Sequence, residues 1–299
     1  MEVMRHPVTG KVDSPFGVVA HLNKSCIECP ITKNKGECKM ELRIDQNVLD
    51  RFPNLHIVEA DSNTVAIKFD GDNNSDFLFP LNFPLTNLDS LSWSKIDEIG
   101  RAGKARTFFA LGATKKVHMK NGFIAEYQIM DFDHDDLADD SGKAPISWDM
   151  VALYKDEIYM KRNSESSCWD ECDGREFLNG DFFENLPDDL QAIIKPVWKL
   201  TANKDGKIVK SKDRVWLKSE KELWGRTFYS NEGEGHWYAL FMQEDFPWFK
   251  LNGDNERDWQ WLRSVGAGNS NIFCIVNTSG AASNNYSGNS RGVAPDFCT

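Results

Sequence analysis

The chain has 299 residues, 40% of them hydrophobic, ten tryptophans and a formal net charge of −11. That length and apolar content suit two domains, or one large domain with an appendage. The negative balance argues against nucleic acid and anionic membranes as partners, since both require a basic face, and no apolar run is long enough to span a bilayer.

The first 17 residues, MEVMRHPVTGKVDSPFG, lack the apolar core of a signal peptide. Seven cysteines at irregular spacing point to reduced thiols rather than a disulfide scaffold. Residues 1–40 read as loop-rich and carry His21, Cys26, Cys29 and Cys38. Two thiolates two residues apart can chelate zinc, and a small segment gains folding energy from a metal. The set lacks a second tight pair, so ordinary thiols are the alternative. NLHIVEA and NTVAIKF read as a hairpin turning at Asp61–Asn63. FLFPLNFPL, broken by Pro80 and Pro84, reads as an extended linker. The expected division is a small N-terminal domain, 1–86, followed by a larger one, 87–299.

The run from Ser92 to Ala110 is expected to be a helix capped by Ser92, with Ile96, Ile99, Ala102 and Phe109 near helical spacing. Asn121–Gly122 predicts a hairpin between strands at Lys115–Val117 and Phe123–Phe132. Asp131, Asp133, Asp135, Asp136, Asp139 and Asp140 follow, around His134. Crowded carboxylates repel, and a calcium ion would relieve them, but the spacing is not that of an EF-hand. The alternatives are acid–base chemistry at His134 and a turn-rich strand exit.

Pro145, Ile146, Trp148, Met150, Leu153 and Tyr159 predict core strand, and Cys168 and Cys172 flank Trp169 in a polar stretch. A helix is expected through EFLNGDFFENL, and a second from Asp188 or Asp189 to Pro196. RVWLK predicts a strand, and Ser219 caps a helix through Trp224. Trp237, Tyr238, Phe241, Phe246, Trp248 and Phe249 are either core or a stacking surface for sugars or peptides. No G-x-S-x-G elbow, phosphate-binding Gly-Lys-Ser/Thr loop or H-E-x-x-H is present.

The tail, Asp258–Thr299, begins with Trp259 and Trp261 alternating along a strand and ends with Phe297 and Cys298. Between them, more than half of Gly266–Ser290 is Asn, Ser or Gly, around the apolar island Ile272–Val276. Short polar side chains beside a stiff aromatic such as Tyr286 are the palette of adaptable binding loops. The plainer reading is a surface hairpin with Asn- and Gly-rich turns. Candidate ligand-binding residues are Asn269, Ser270, Asn271, Asn277, Ser279, Ser283, Asn284, Asn285, Tyr286, Asn289 and Arg291. Trp261 is expected to pack beneath them, with Arg263 and Asp296 pinning the strands. Cys274 and Cys298 are a candidate pair if the closing strands meet.

DWQWLRSV, FCIV and RGVAPDFC, together with LSWSKIDEIGRAGKARTFFALGATKKV, DFDHDDLADDSGKAPISW, FFENLPDDLQAIIKPVWKLT and RVWLKSEKELWG, resemble the successive blocks of a family of uncharacterised domains from gut bacteria and their phages. The resemblance spans about residues 88–299 and departs from the pattern at Val265 and Asp296. Its ending is similar to that of C-type-lectin-like folds, including the variable proteins of diversity-generating retroelements. The resemblance implies an α+β, C-type-lectin-like domain that displays a variable surface to a protein or glycan ligand. Asn269–Arg291 would be the stretch rewritten at adenines. With no signal-peptide core read at the N-terminus, the expectation is a cytoplasmic protein as synthesised, or one carried in a phage particle. The fold is also similar to that of formylglycine-generating enzymes, which makes a cysteine- or metal-dependent enzyme using Cys274 and Cys298 the alternative. A structural particle component is a third.

Overall fold

A computed structural model describes residues 84–299 with their side chains and, before them, the backbone of three strands. The chain divides into two compact units, Met1–Phe83 and Pro84–Thr299. In the first, β1 (Leu55–Ala60), β2 (Thr64–Phe69) and β3 (Phe77–Pro80) form an antiparallel sheet in that order. The hairpin read from NLHIVEA and NTVAIKF is therefore present. The candidate zinc ligands His21, Cys26, Cys29 and Cys38 lie outside the described residues.

The second unit mixes helices with several sheets. Its strands are β4 (Leu85–Asn87), β5 (Phe109–His118), β6 (Ile124–Phe132), β7 (Ile146–Met150), β8 (Val197–Ala202), β9 (Ile208–Asp213), β10 (Val215–Trp216), β11 (Lys250–Leu251), β12 (Arg257–Asp258), β13 (Gln260–Gly266), β14 (Asn269–Val276), β15 (Ala282–Tyr286) and β16 (Asp296–Cys298). The principal sheet has the order β10-β16-β7-β6-β5-β4, so β16 lies inside it, between β10 and β7. Trp93, Tyr127, Trp148 and Phe297 meet over this sheet. Ring centroids lie 5.3 Å apart for Trp93–Trp148 and 4.7 Å for Tyr127–Phe297. Edge and tilted contacts of this kind add about 0.5–1.5 kcal/mol each beyond simple burial.

Ser92 caps α1 (Trp93–Arg101), accepting from the Lys95 amide. The helix stops well before Ala110 because Gly103 takes a left-handed φ of 67° just past the C-cap, a termination that glycine accepts at no steric cost. A single turn, α2 (Ala105–Phe108), then leads directly into β5. The Asn121–Gly122 turn joins β5 to β6 as expected, with φ 84° at Gly122.

α3 (Asp173–Phe177) continues through a π-turn at Leu178–Phe182 into α4 (Phe183–Asn185). The helix expected from Asp188 to Pro196 is shorter, α5 (Asp188–Gln191), and Val197–Ala202 is strand instead. α6 (Glu220–Trp224) has a complete capping box, in which Ser219 and Glu222 bond each other's backbone. Of the aromatic run, Tyr238 and Phe241 are fully buried and Trp237, Phe246 and Trp248 pack against the core, so that run is mainly core.

Candidate binding site

The tail folds as its own antiparallel sheet, β13-β14-β15, with β15 at the edge. The apolar island explains this order. Phe273, Cys274, Ile275 and Val276 are all buried, so β14 is covered on both faces and must be the central strand. β13 is buried along its whole length, and Trp261 contacts Phe273 edge-on at 6.4 Å. Trp261 therefore packs beneath the hairpin, as read from the sequence. β15 is half-buried and ends at Tyr286, which is 59% exposed.

The candidate ligand residues separate into groups with different work. Asn277 Oδ1 accepts from the Ser279 amide and hydroxyl and from the Ala281 amide, so Asn277 and Ser279 staple the β14–β15 turn. At the other end, Ser270 Oγ lies 2.5 Å from Ser166 Oγ, and Asn271 Nδ2 donates to the Ser164 carbonyl at 2.6 Å. Asn269 accepts from the Asn271 amide. Gly288 lets the chain pass close to that neighbouring loop, since a Cβ there would sit 2.7 Å from Ser164 N. Asn289 Nδ2 donates to Asn285 Oδ1, which also accepts the Tyr286 amide. The Arg291 guanidinium lies 5.5 Å from the Trp259 ring centroid.

Ser283, Asn284 and Tyr286 make no side-chain hydrogen bond among the described residues, and they line the edge strand. From Asn271 to the Asn277 turn the ribbon runs roughly 20 Å at ~3.4 Å per residue. Asn277 and Ser279 therefore lie far from the Asn271–Tyr286–Asn289 end, and the eleven candidates do not form one compact patch.

What holds the hairpin is a buried ionic frame, of which the sequence offered Arg263 and Asp296 but not their partners Glu222, Lys199, Lys218, Asp149 and Lys250. β13 separates from β14 at a register shift between Trp261 and Val265, and the Arg263 amide there donates to the Lys218 carbonyl. The Arg263 guanidinium forks onto both oxygens of Glu222, contacts Thr201 Oγ1 at 3.0 Å, and donates to the carbonyls of Leu217, Leu200 and Glu234. Glu222 is also the capping residue of α6, so a single carboxylate ties that helix to the tail. Lys199 joins the same group, 2.6 Å from Glu222 and 2.7 Å from Asp135. Burial opposes ionisation of Glu222, but Arg263 and Lys199 overcome it and hold its pKa below the usual range.

Arg263 and Asp296, the two residues expected to pin the strands, do so through different partners. Asp296 meets Lys218 at 2.7 Å; Lys218 also meets Asp149 at 2.6 Å, and Lys250 reaches Asp149 at 2.9 Å. A third device presents aromatic residues. Glu220, fully buried, accepts the amides of Phe228, Tyr229 and Ser230 and the Ser230 hydroxyl on one oxygen. That fixes a loop whose Phe228 and Tyr229 are 45% and 43% exposed, and the Tyr229 carbonyl accepts from Ala267 in the β13–β14 turn.

Among the described residues no group of three or more His, Cys, Asp or Glu side chains converges on a metal position. Each cluster carboxylate is engaged by protein instead. Asp131 meets His134 at 3.0 Å and the Ala239 amide, Asp135 meets Lys199, Asp136 meets Lys143, and Asp140 accepts from Trp198. Charges crowded along the chain thus fan out in space onto separate protein partners.

Cys274 and Cys298 are not joined; both are free, as are Cys168 and Cys172, and all four are buried. Cys298 contacts Ser147 and Asp135, while Cys274 lies on β14 near Glu220. Burial pushes the thiols of Cys274 and Cys298 well above the ordinary value and that of Cys172 up to about 12. A nucleophile needs a depressed pKa and access, which these residues lack. A cavity of about 370 Å³ lies elsewhere, lined in part by Asp89, Trp93, Lys115, His118 and Asp189, and no tail residue borders it.

No helix among the described residues is long and apolar enough to cross a membrane. No curated protein and no solved structure matches the chain. One family model does match, over residues 141–299, which include the whole hairpin and the buried frame except Asp135. The chain therefore belongs to DUF6273, a family described as a domain of unknown function.

Proposed function

We propose that this chain is a ligand-binding protein whose C-terminal hairpin presents a polar edge to a protein or glycan. The observation that carries the reading is the contrast within the tail. Trp261, Arg263 and Phe273 are fully buried, while Ser283, Asn284 and Tyr286 line the adjoining edge strand with no side-chain hydrogen bond among the described residues. A rigid support beneath adaptable polar groups and an aromatic anchor suits recognition, because little entropy is lost on binding. The open edge of β15 also offers backbone groups to a partner strand.

On this reading the domain is C-type-lectin-like and serves as the variable protein of a diversity-generating retroelement in a phage or gut bacterium. The edge positions are the ones that tolerate replacement, whereas Asn271, Asn277 and Asn285 bond the backbone and resist it. The cysteine-enzyme alternative finds no support in the described thiols.

The test is binding of purified protein to a glycan array and to panels of intact bacterial cells, compared with a Ser283→Ala/Asn284→Ala/Tyr286→Ala variant. The expected result is a ligand retained by the wild type and lost by the variant at unchanged melting temperature. Equal retention of every ligand by both proteins refutes the reading.

A further inference from the structure

We propose that Lys218 and Asp296 form an intramolecular isopeptide bond, with Asp149 as the proton acceptor. This does not depend on the recognition reading above.

The geometry is that of reactants already in place. Lys218 Nζ lies 2.7 Å from Asp296 Oδ1 and 2.6 Å from Asp149 Oδ1, and all three side chains are fully buried. Backbone pairing sets the approach. β10 and β16 are hydrogen-bonded neighbours with Trp216 opposite Asp296, and Lys218 follows two residues later. β7, which carries Asp149, pairs with the other side of β16. Holding two reactants at contact in one geometry removes most of the entropic barrier to a bimolecular step.

The two carboxylates are not equivalent. Asp149 receives Lys250 at 2.9 Å, Gln128 at 2.7 Å and Lys218, so its negative charge is compensated without Asp296. Asp296 has Lys218 as its partner, and its second oxygen, Oδ2, is buried with no hydrogen bond among the described residues. Burial, reinforced by the charge of Asp149, pushes Asp296 up to about 7. Asp149 and Asp296 also hold Lys218 above its ordinary value against burial, so the pair rests ionised, and the proton shift inside it to a neutral acid beside a neutral amine is the first step of the reaction.

The step balances without any co-reactant. The Lys218 ammonium gives one proton to Asp296, leaving a free amine and a carboxylic acid. The amine nitrogen attacks Asp296 Cγ. Asp149 takes a second nitrogen proton as the C–N bond forms and returns it to the departing hydroxyl. One Cγ–O bond breaks, one amide forms and one water leaves. The surroundings favour the product, since Phe241 lies 5.7 Å from Lys218 Nζ and the three side chains are fully buried, so bulk water to drive hydrolysis is excluded.

The experiment is intact mass measurement of the full chain, denatured immediately before analysis, followed by tryptic peptide sequencing. The expected mass is lower than the sequence mass by one water. Lys218 should resist trypsin, and the peptide Val215–Lys221 should appear joined to Gly292–Thr299. The Asp149→Asn variant should keep the full sequence mass, and so should Lys218→Met. The full sequence mass in the wild type, a linear Gly292–Thr299 peptide, a water loss confined to one linear peptide, or a cross-link to Asp149 instead would each overturn the proposal. The wild-type reading decides the matter even if a variant does not fold.

Discussion

Replacing Arg263 by alanine tests the buried frame most severely. In the native protein its guanidinium is fully buried and meets Glu222, Thr201 and three carbonyl oxygens. Removing it leaves Glu222 with Lys199 as its remaining cation and strips partners from the Leu217, Leu200 and Glu234 carbonyls. Breaking a buried pair by deleting one member costs about 3–5 kcal/mol. Against a typical total of roughly 5–15 kcal/mol that is a large fraction. A domain of this size loses about 2–4 °C per kcal/mol, so the midpoint should fall by roughly 6–20 °C. Arg263→Lys keeps the charge but not the planar fork and should fall between the two. Calorimetry and urea titration of the three proteins measure the effect. If Arg263→Ala melts within about 1 kcal/mol of the wild type, the guanidinium does not hold the hairpin and the reasoning fails.

Stability should depend on pH through Glu234. Burial raises its pKa from 4.5 to about 7, so the folded state binds a proton that the unfolded state releases. Stability is then full below the unfolded value and declines as pH rises from about 4.5 to 7, by about 3 kcal/mol at most. Melting curves at pH 5 and pH 7.5 should show the decline in the wild type and a smaller one in Glu234→Gln; identical slopes would remove Glu234 as the cause. Glu220→Ala should cost about 1–3 kcal/mol by orphaning three amides and should speed hydrogen exchange at Phe228, Tyr229 and Ser230, whereas unchanged exchange there would show that another group holds the loop. Alkylation of the native protein should leave Cys168, Cys172, Cys274 and Cys298 unmodified, with labelling only after denaturation; rapid native labelling of Cys274 or Cys298 would revive the thiol-enzyme alternative.

Local signals were the legible part of the fold. Ser92 and Ser219 cap helices where the sequence places them, and Asn121–Gly122 turns the β5–β6 hairpin. These features rest on a few adjacent residues, so a reader of sequence has all the information required. The left-handed Gly103 is an equally local stop signal, set within apolar spacing that by itself points to a longer helix.

Parity along strands was not legible. The strand Val197–Ala202 is not among the elements expected from the sequence, and in it Lys199 points inward while Trp198 and Leu200 are only half-buried. The inward lysine is selected by Asp135 and Glu222, which lie 64 and 23 residues away along the chain. A one-residue shift in register exchanges the two faces, and residue type alone assigns lysine to solvent. The partners of Arg263 and Asp296 were hidden for the same reason. They come from separate elements, and only the folded chain shows which cation meets which carboxylate. The hairpin residues were legible as a polar set, but their division into structural and free members was not. At Ser270 and Asn271 that division depends on the 164–166 loop, which no local pattern connects to the tail.

The central claim is that a stiff buried frame supports an edge whose side chains can be exchanged. Its most direct test is a saturation library at Arg263, Asn271, Asn277, Ser283, Asn284, Tyr286 and Asn289, sorted for resistance to proteolysis and sequenced. The account predicts near-neutral tolerance at Ser283, Asn284 and Tyr286, with depletion at Arg263 and, more mildly, at Asn271 and Asn277. Depletion at the three edge positions as strong as that at Arg263 would contradict it.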